Sequence, residues 1–203
     1  MKILNKLPKS KQSLHLDLIN NGWVQMKEPK NVRSAILFSV PLMIVNVLIS
    51  IGVINIFSTI SLSDFGLTSD SISITINFGI ILWLALLLIL HELLHLIFIP
   101  NFKKSDKTFV GITLFGGFVI TEEEMSKSRY IFITIAPFII ISVILPLILS
   151  VLGLLTPTIK FLILLNAMAS SVDMLNLFLI VKQIPKHAIL KSNGPDTYWK
   201  TQT

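Results

Sequence analysis

The stretch Ile80-Ile-Leu-Trp-Leu-Ala-Leu-Leu-Leu-Ile-Leu-His-Glu-Leu-Leu-His-Leu-Ile-Phe-Ile-Pro100 decides how this chain is read. Ile80 to Leu90 carries no charge, and His91, Glu92 and His95 then arrive inside the same apolar run. About 20 predominantly apolar residues suffice to cross a bilayer as a helix. Pro100 stops the run, because proline has no backbone N–H to continue the helical ladder. Ionisable groups inside a membrane helix are costly, so these three are functional candidates.

The rest of the chain agrees with a membrane setting. Of 203 residues, 53% are hydrophobic and only 14% are charged, where a soluble domain carries about 25% charged residues. That balance excludes a disordered chain and argues against an ordinary soluble enzyme. There is no cysteine, which removes disulfides and thiolate metal sites from consideration. The net charge is +6, but the basic residues flank the apolar blocks, which points to the anionic membrane surface and not to nucleic acid.

Four apolar segments are predicted as spanning helices, at about 34–60, 74–100, 130–155 and 159–181. Between the second and third, residues 108–121 are rich in β-branched and aromatic types around Gly116-Gly117, which predicts a short β-hairpin with a glycine turn. The expected fold class is therefore all-α integral membrane, with about four transmembrane helices and that one hairpin. Residues 1–33 are expected as a cytoplasmic N-terminal segment, 34–182 as the membrane domain and 183–203 as a cytoplasmic tail. Lys and Arg set the orientation. Residues 1–33 hold seven, the loop 101–129 holds five, and the tail holds Lys182, Lys186, Lys191 and Lys200. Only Lys160 lies near the opposite side, where its long side chain can snorkel. This alternation predicts a multi-pass protein of the cell membrane with both termini on the cytoplasmic side.

His91-Glu92-Leu93-Leu94-His95 matches H-E-x-x-H. On a helix, residues i and i+4 share one face, so both imidazoles can hold a single Zn²⁺, with Glu92 beside it as general base. The bland alternative is a chance pentad at a helix end, with the histidines reaching for the interface. A catalytic zinc takes three protein ligands and leaves one position open. Most other acidic residues, among them Glu28, Asp64, Asp70 and Asp196, lie in flanks or loops, whereas Asp173 sits within the fourth apolar segment. His91 precedes Pro100 by nine residues and Asp173 precedes Lys182 by nine, about 13 Å in each case, so the two groups can share one depth. Asn166, Ser170 and Asp173 form a polar stripe at i, i+4 and i+7, and Asn176 lies one turn on, placed to orient Asp173 or a substrate carbonyl. The alternative third ligand is one of Glu122, Glu123 and Glu124, and the alternative role of Asp173 is a structural hydrogen bond between helices. The hairpin is either a cover over the bundle or an edge strand that holds an extended substrate. Arg129 and Tyr130 read as interfacial anchors of the third helix.

With these residues in view, the chain resembles intramembrane metalloproteases of the site-2 protease type. More closely, it resembles a bacterial membrane family described as putative zincin peptidases, over about residues 20–200. The resemblance rests on His91-Glu-Leu-Leu-His95, on Ser170-Ser-Val-Asp-Met-Leu-Asn176 and on the basic tail from Lys182. It implies a zinc peptidase with His91, His95 and Asp173 as ligands and Glu92 as base. The chain departs from the site-2 proteases in having Met174 where a glycine commonly follows the ligand aspartate, and in lacking an Asn-Pro pair before it.

The function expected is a membrane-embedded zinc metalloendopeptidase with one Zn²⁺ per chain, hydrolysing peptide bonds of membrane-spanning or membrane-proximal proteins by zinc-activated water near the cytoplasmic face. Its partners are the lipid bilayer and a membrane-protein or peptide substrate, with no nucleic acid. The rivals are a non-proteolytic metal-binding or sensing protein, for which Glu92 would be dispensable, and a non-enzymatic membrane partner such as an immunity or scaffold subunit, for which none of the four residues would matter.

Overall fold

The computed structural model describes residues 1–66, 78–113 and 116–201. The turn of the predicted hairpin, the first residues of the second predicted helix and Asp70 fall outside them.

Helix α1 (Gln12–Asn20) lies in the N-terminal segment, between the short strands β1 (Lys2–Leu4) and β2 (Val24–Gln25). Helix α2 (Val32–Ile54) then begins at a reciprocal cap. Asn31 accepts from the Ser34 amide at 2.9 Å, and the Ser34 hydroxyl accepts from the Asn31 amide at 3.3 Å. Helix α3 (Phe78–Ile97) carries the histidine pair. Strands β3 (Thr108–Thr113), β4 (Gly116–Thr121) and β5 (Met125–Ser126) follow. Ser126 caps α4 (Lys127–Pro137), which passes through a π-helical stretch (Phe138–Ile144) into α5 (Leu145–Val151). Thr156 caps α6 (Pro157–Ala169), with proline at the first helical position. Helix α7 (Ser171–Gln183) continues beyond Ser170 and leads to β6 (Ala188–Asn193) and β7 (Asp196–Thr201).

Four stretches are long and apolar enough to cross a membrane: Val32–Ile54, Phe78–Ile97, Lys127–Val151 and Pro157–Gln183. Their outer faces expose large apolar side chains, Leu48, Trp83 and Phe178 among them. Their inner faces are held by polar groups, which must find partners where water is absent. Ser39 of α2 meets Ser171 at 3.1 Å, Asn46 donates to the Ala167 carbonyl at 3.1 Å, and Ser142 donates to the Ile163 carbonyl at 3.1 Å. Lys160 does not snorkel. It is 6% exposed and donates to the Thr59 carbonyl at 2.6 Å and to Asp64 at 2.9 Å, fastening α6 to the loop after α2.

The all-α expectation is corrected by two sheets. One has the order β1-β3-β4, with β1 parallel to β3 and β3 antiparallel to β4. The other has the order β2-β7-β6-β5, antiparallel throughout. The expected hairpin is thus one part of a larger β layer. Its glycines do not form the turn: Gly116 and Gly117 open β4, with Gly116 paired to Thr113. The reason lies in long-range pairing. The N-terminal segment gives one strand to each sheet, and the middle loop and the tail supply the rest. All three segments therefore lie at the same end of the helices. Two apolar clusters seal the layer: Met26, Ile180, Ile184, Ala188 and Leu190 against the end of α7, and Leu18, Trp23 and Tyr198 beneath α1.

Candidate metal centre

Helix α3 sets both imidazoles of the pentad on its inner face, where His91 is 8% exposed and His95 9%. Asp173, on the first turn of α7, faces them. Its Oδ2 lies 3.2 Å from His91 Nε2 and 3.5 Å from His95 Nε2, and one donor atom from each of the three residues falls within 4.8 Å of the others. Two zinc–ligand bonds of about 2.0–2.1 Å at a tetrahedral angle put their donor atoms about 3.3 Å apart. The two histidine–aspartate separations fit that edge.

The other nitrogen of each ring fixes its tautomer. His95 Nδ1 lies 2.9 Å from the Ile133 carbonyl, which can only accept, so Nδ1 carries a proton, and in the neutral ring Nε2 then presents a lone pair. That carbonyl is available because its helical partner four residues on is Pro137, which has no N–H. His91 Nδ1 lies 2.9 Å from Asn166 Oδ1. The Asn166 amide nitrogen is committed to the Ser142 hydroxyl at 2.9 Å and the Pro137 carbonyl at 3.3 Å, so its oxygen is left to accept from His91. Both Nε2 lone pairs therefore converge on a carboxylate oxygen. With neutral rings, three electron-rich atoms at these distances repel unless a proton or a metal cation lies among them, and outer partners that hold imidazoles this way are a feature of metal ligands.

Glu92 lines a cavity of about 540 Å³ beside the three donors. Strand β4 runs along that cavity and packs on Glu92 at Gly117, where an added Cβ would collide with the Glu92 side chain. Gly117, expected in a turn, thus makes room for a carboxylate. The residues expected to support the site divide. Asn166 is 1% exposed and holds His91. Ser170 is buried, and its hydroxyl has no hydrogen-bond partner among the described residues. Asn176 lines the cavity one turn beyond Asp173, with its carbonyl oxygen buried and unpartnered among the described residues. The three glutamates lie apart from the donors. Glu122 is 3.6 Å from Lys11, Glu123 accepts from Ser105 at 2.7 Å, and Glu124 accepts from Lys191 at 3.0 Å.

A family described as "Putative zincin peptidase" matches residues 84–189, just over half of the chain. The chain belongs to this family. The matched region of this zincin peptidase family member runs from α3 to the start of β6 and includes His91, Glu92, His95 and Asp173. A zincin family implies zinc, and a two-histidine, one-carboxylate donor set is among those zinc takes in catalytic sites. No matching relative was found among curated proteins or solved structures.

Two cavity residues escaped the sequence reading. Tyr130, taken as an interfacial anchor, lines the cavity with its hydroxyl among Asn176, Ser192 and Thr197. Glu28, placed in a flank, lines the same cavity and is held by Thr197, whose amide donates at 2.8 Å and whose hydroxyl donates at 3.1 Å. The available signal was position: Glu28 falls just ahead of the start of α2, at the end of the bundle where Pro100 and Lys182 also lie.

Proposed function

We propose that this protein is a membrane-embedded zinc metalloendopeptidase that cleaves membrane-spanning or membrane-proximal peptides, with His91, His95 and Asp173 as the ligands of one ion per chain and Glu92 as general base. The observation that carries this reading is the convergence of two tautomer-locked Nε2 atoms on Asp173, beside a carboxylate that has a cavity in front of it. A zinc ion held by these donors supplies a Lewis acid that makes a water nucleophilic near neutral pH and polarises the carbonyl it touches. Glu92 accepts the proton of the attacking water and returns it to the amine that leaves, so one water is consumed for each peptide bond broken.

An unwound substrate needs partners for its backbone. Strand β4 lies at the edge of its sheet and along the cavity, and an extended peptide added there satisfies its amides while lying across the donors. The pairing of N-terminal, middle-loop and tail strands supports one common side for these three basic segments, which the excess of Lys and Arg assigns to the cytoplasm.

Metal analysis of detergent-purified protein tests the reading, together with cleavage of membrane-segment peptides. The expected result is one zinc per chain in wild type and in Glu92→Gln, none in Asp173→Ala, and cleavage by wild type alone. Zinc binding with equal function in wild type and Glu92→Gln would instead identify a metal-binding or sensing protein. Absence of metal from carefully handled wild type would point to a non-enzymatic partner.

A further inference from the structure

The cavity has two unlike ends. At one, Leu84, Leu87 and Leu88 of α3, one to two turns ahead of His91, make the wall apolar. At the other, beyond Asn176 and Tyr130, it reaches Glu28, Ser192 and Thr197 beneath the second sheet. Among the described residues, three carboxylates line the cavity, Glu28, Glu92 and Asp173, and no lysine or arginine does. A divalent ion at the metal centre leaves one of these negative charges uncompensated. Glu28 is the one removed from the metal donors, and no cation pairs with it among the described residues. Thr197 occupies one lone pair on each of its oxygens, which leaves two to accept. Asn176 Oδ1, also unpartnered among the described residues, adds another acceptor to the same wall. Burial pushes the Glu28 carboxyl up to about 7, against the opposing effect of its two Thr197 hydrogen bonds, as befits a carboxylate without a counter-ion.

We infer that Glu28 and Asn176 form a subsite for a basic side chain, so that the substrate is an apolar-to-basic junction at the end of a membrane-spanning segment. This deepens the peptidase reading of the metal centre and rests on it. The apolar end of the cavity takes the last residues of the span, and the acceptor end takes the Lys or Arg that follows. Junctions of this composition mark the cytoplasmic ends of membrane spans, where Lys and Arg are in excess. The Thr197 bonds alone would make Glu28 a clamp between the N-terminal segment and β7. A clamp has no use for the remaining lone pairs and confers no charge preference on a substrate.

The test uses full-length, zinc-loaded protein in detergent and synthetic peptides with one apolar segment followed by lysine, acetyl-lysine or glutamine. Wild type is expected to cleave the lysine peptide about tenfold or more better in kcat/KM than the other two. In Glu28→Gln the ratio is expected to fall to near one. Binding of the same fluorescent peptides to Glu92→Gln protein gives a second readout that needs no hydrolysis, with the same ranking expected. Carbodiimide coupling of the lysine peptide to that protein is expected to join its amine to Glu28, which covers the case of Glu28→Gln failing to fold. Cleavage without a charge preference, a preference that persists in Glu28→Gln, or coupling only elsewhere would overturn the subsite and leave the peptidase standing. Ranked binding without any cleavage would overturn the peptidase and leave a cation-selective binding site.

Discussion

The two ends of the cavity are built by different physics. The metal end is almost wholly helical. His91, Glu92 and His95 are placed by the spacing of a single helix, and only Asp173 comes from elsewhere. The acceptor end is assembled from segments at opposite ends of the chain, with Glu28 fastened to Thr197, 169 residues away. Short-range periodicity writes the first end, and strand pairing writes the second. On the proposed reading, a single substitution at the metal end removes a ligand or the base. At the other end it is expected to change which peptide is preferred, because the neighbouring strands hold the wall in place.

The largest effects are expected at the donors. Asp173→Ala and His95→Ala should each remove zinc from the purified protein, while Glu123→Gln keeps it, since Glu123 is held by Ser105. Loss of zinc in Glu123→Gln would move the third ligand to the loop and break the contrast. Next come the groups behind the imidazoles. Asn166→Leu and Pro137→Ala should each weaken zinc about 10–100-fold in a chelator competition. The first removes the acceptor for His91, and the second restores an N–H that competes for the Ile133 carbonyl. An unchanged affinity in Pro137→Ala would show that His95 does not depend on that carbonyl. Gly117→Ala should displace Glu92, lowering kcat on a cleaved peptide with zinc content intact.

The smallest effect belongs to the acceptor end. The folded protein holds the Glu28 carboxyl at about 7, above its ordinary 4.5. The folded state therefore binds the proton more tightly than the unfolded chain. The contribution to stability is full below about 4.5 and is lost as pH rises through about 7. Thermal melts across that window should show stability falling with pH more steeply in wild type than in Glu28→Gln. Parallel profiles would mean that Glu28 is not shielded from water.

This contrast also explains what the sequence disclosed. Four spans could be read from runs of apolar residues, and the donor set from one pentad and one intramembrane aspartate. The aspartate stands out by its place within an apolar segment, and depth along the helices, a one-dimensional property, levels it with His91. The β layer was not legible, because β1, β2 and β5 are two or three residues long and their partners lie far along the chain. The tail did carry a signal, Asn193-Gly194-Pro195-Asp196 between two strand-like runs, and Gly194 adopts the left-handed conformation that such a tight turn requires. The break between α6 and α7 left no mark in hydropathy, since both sides are apolar. Tyr130 and Glu28 were misplaced for one reason: a polar residue at the end of a span looks the same whether it meets water or a cavity.

The pairing of β2 with β7 has a consequence in time. Strand β2 leaves the ribosome well before β7, the strand it pairs with. All three metal donors have been synthesised by residue 173, while Thr197 has yet to appear. During biogenesis, then, the chain acquires its candidate metal donors before it acquires the wall proposed to rank its substrates.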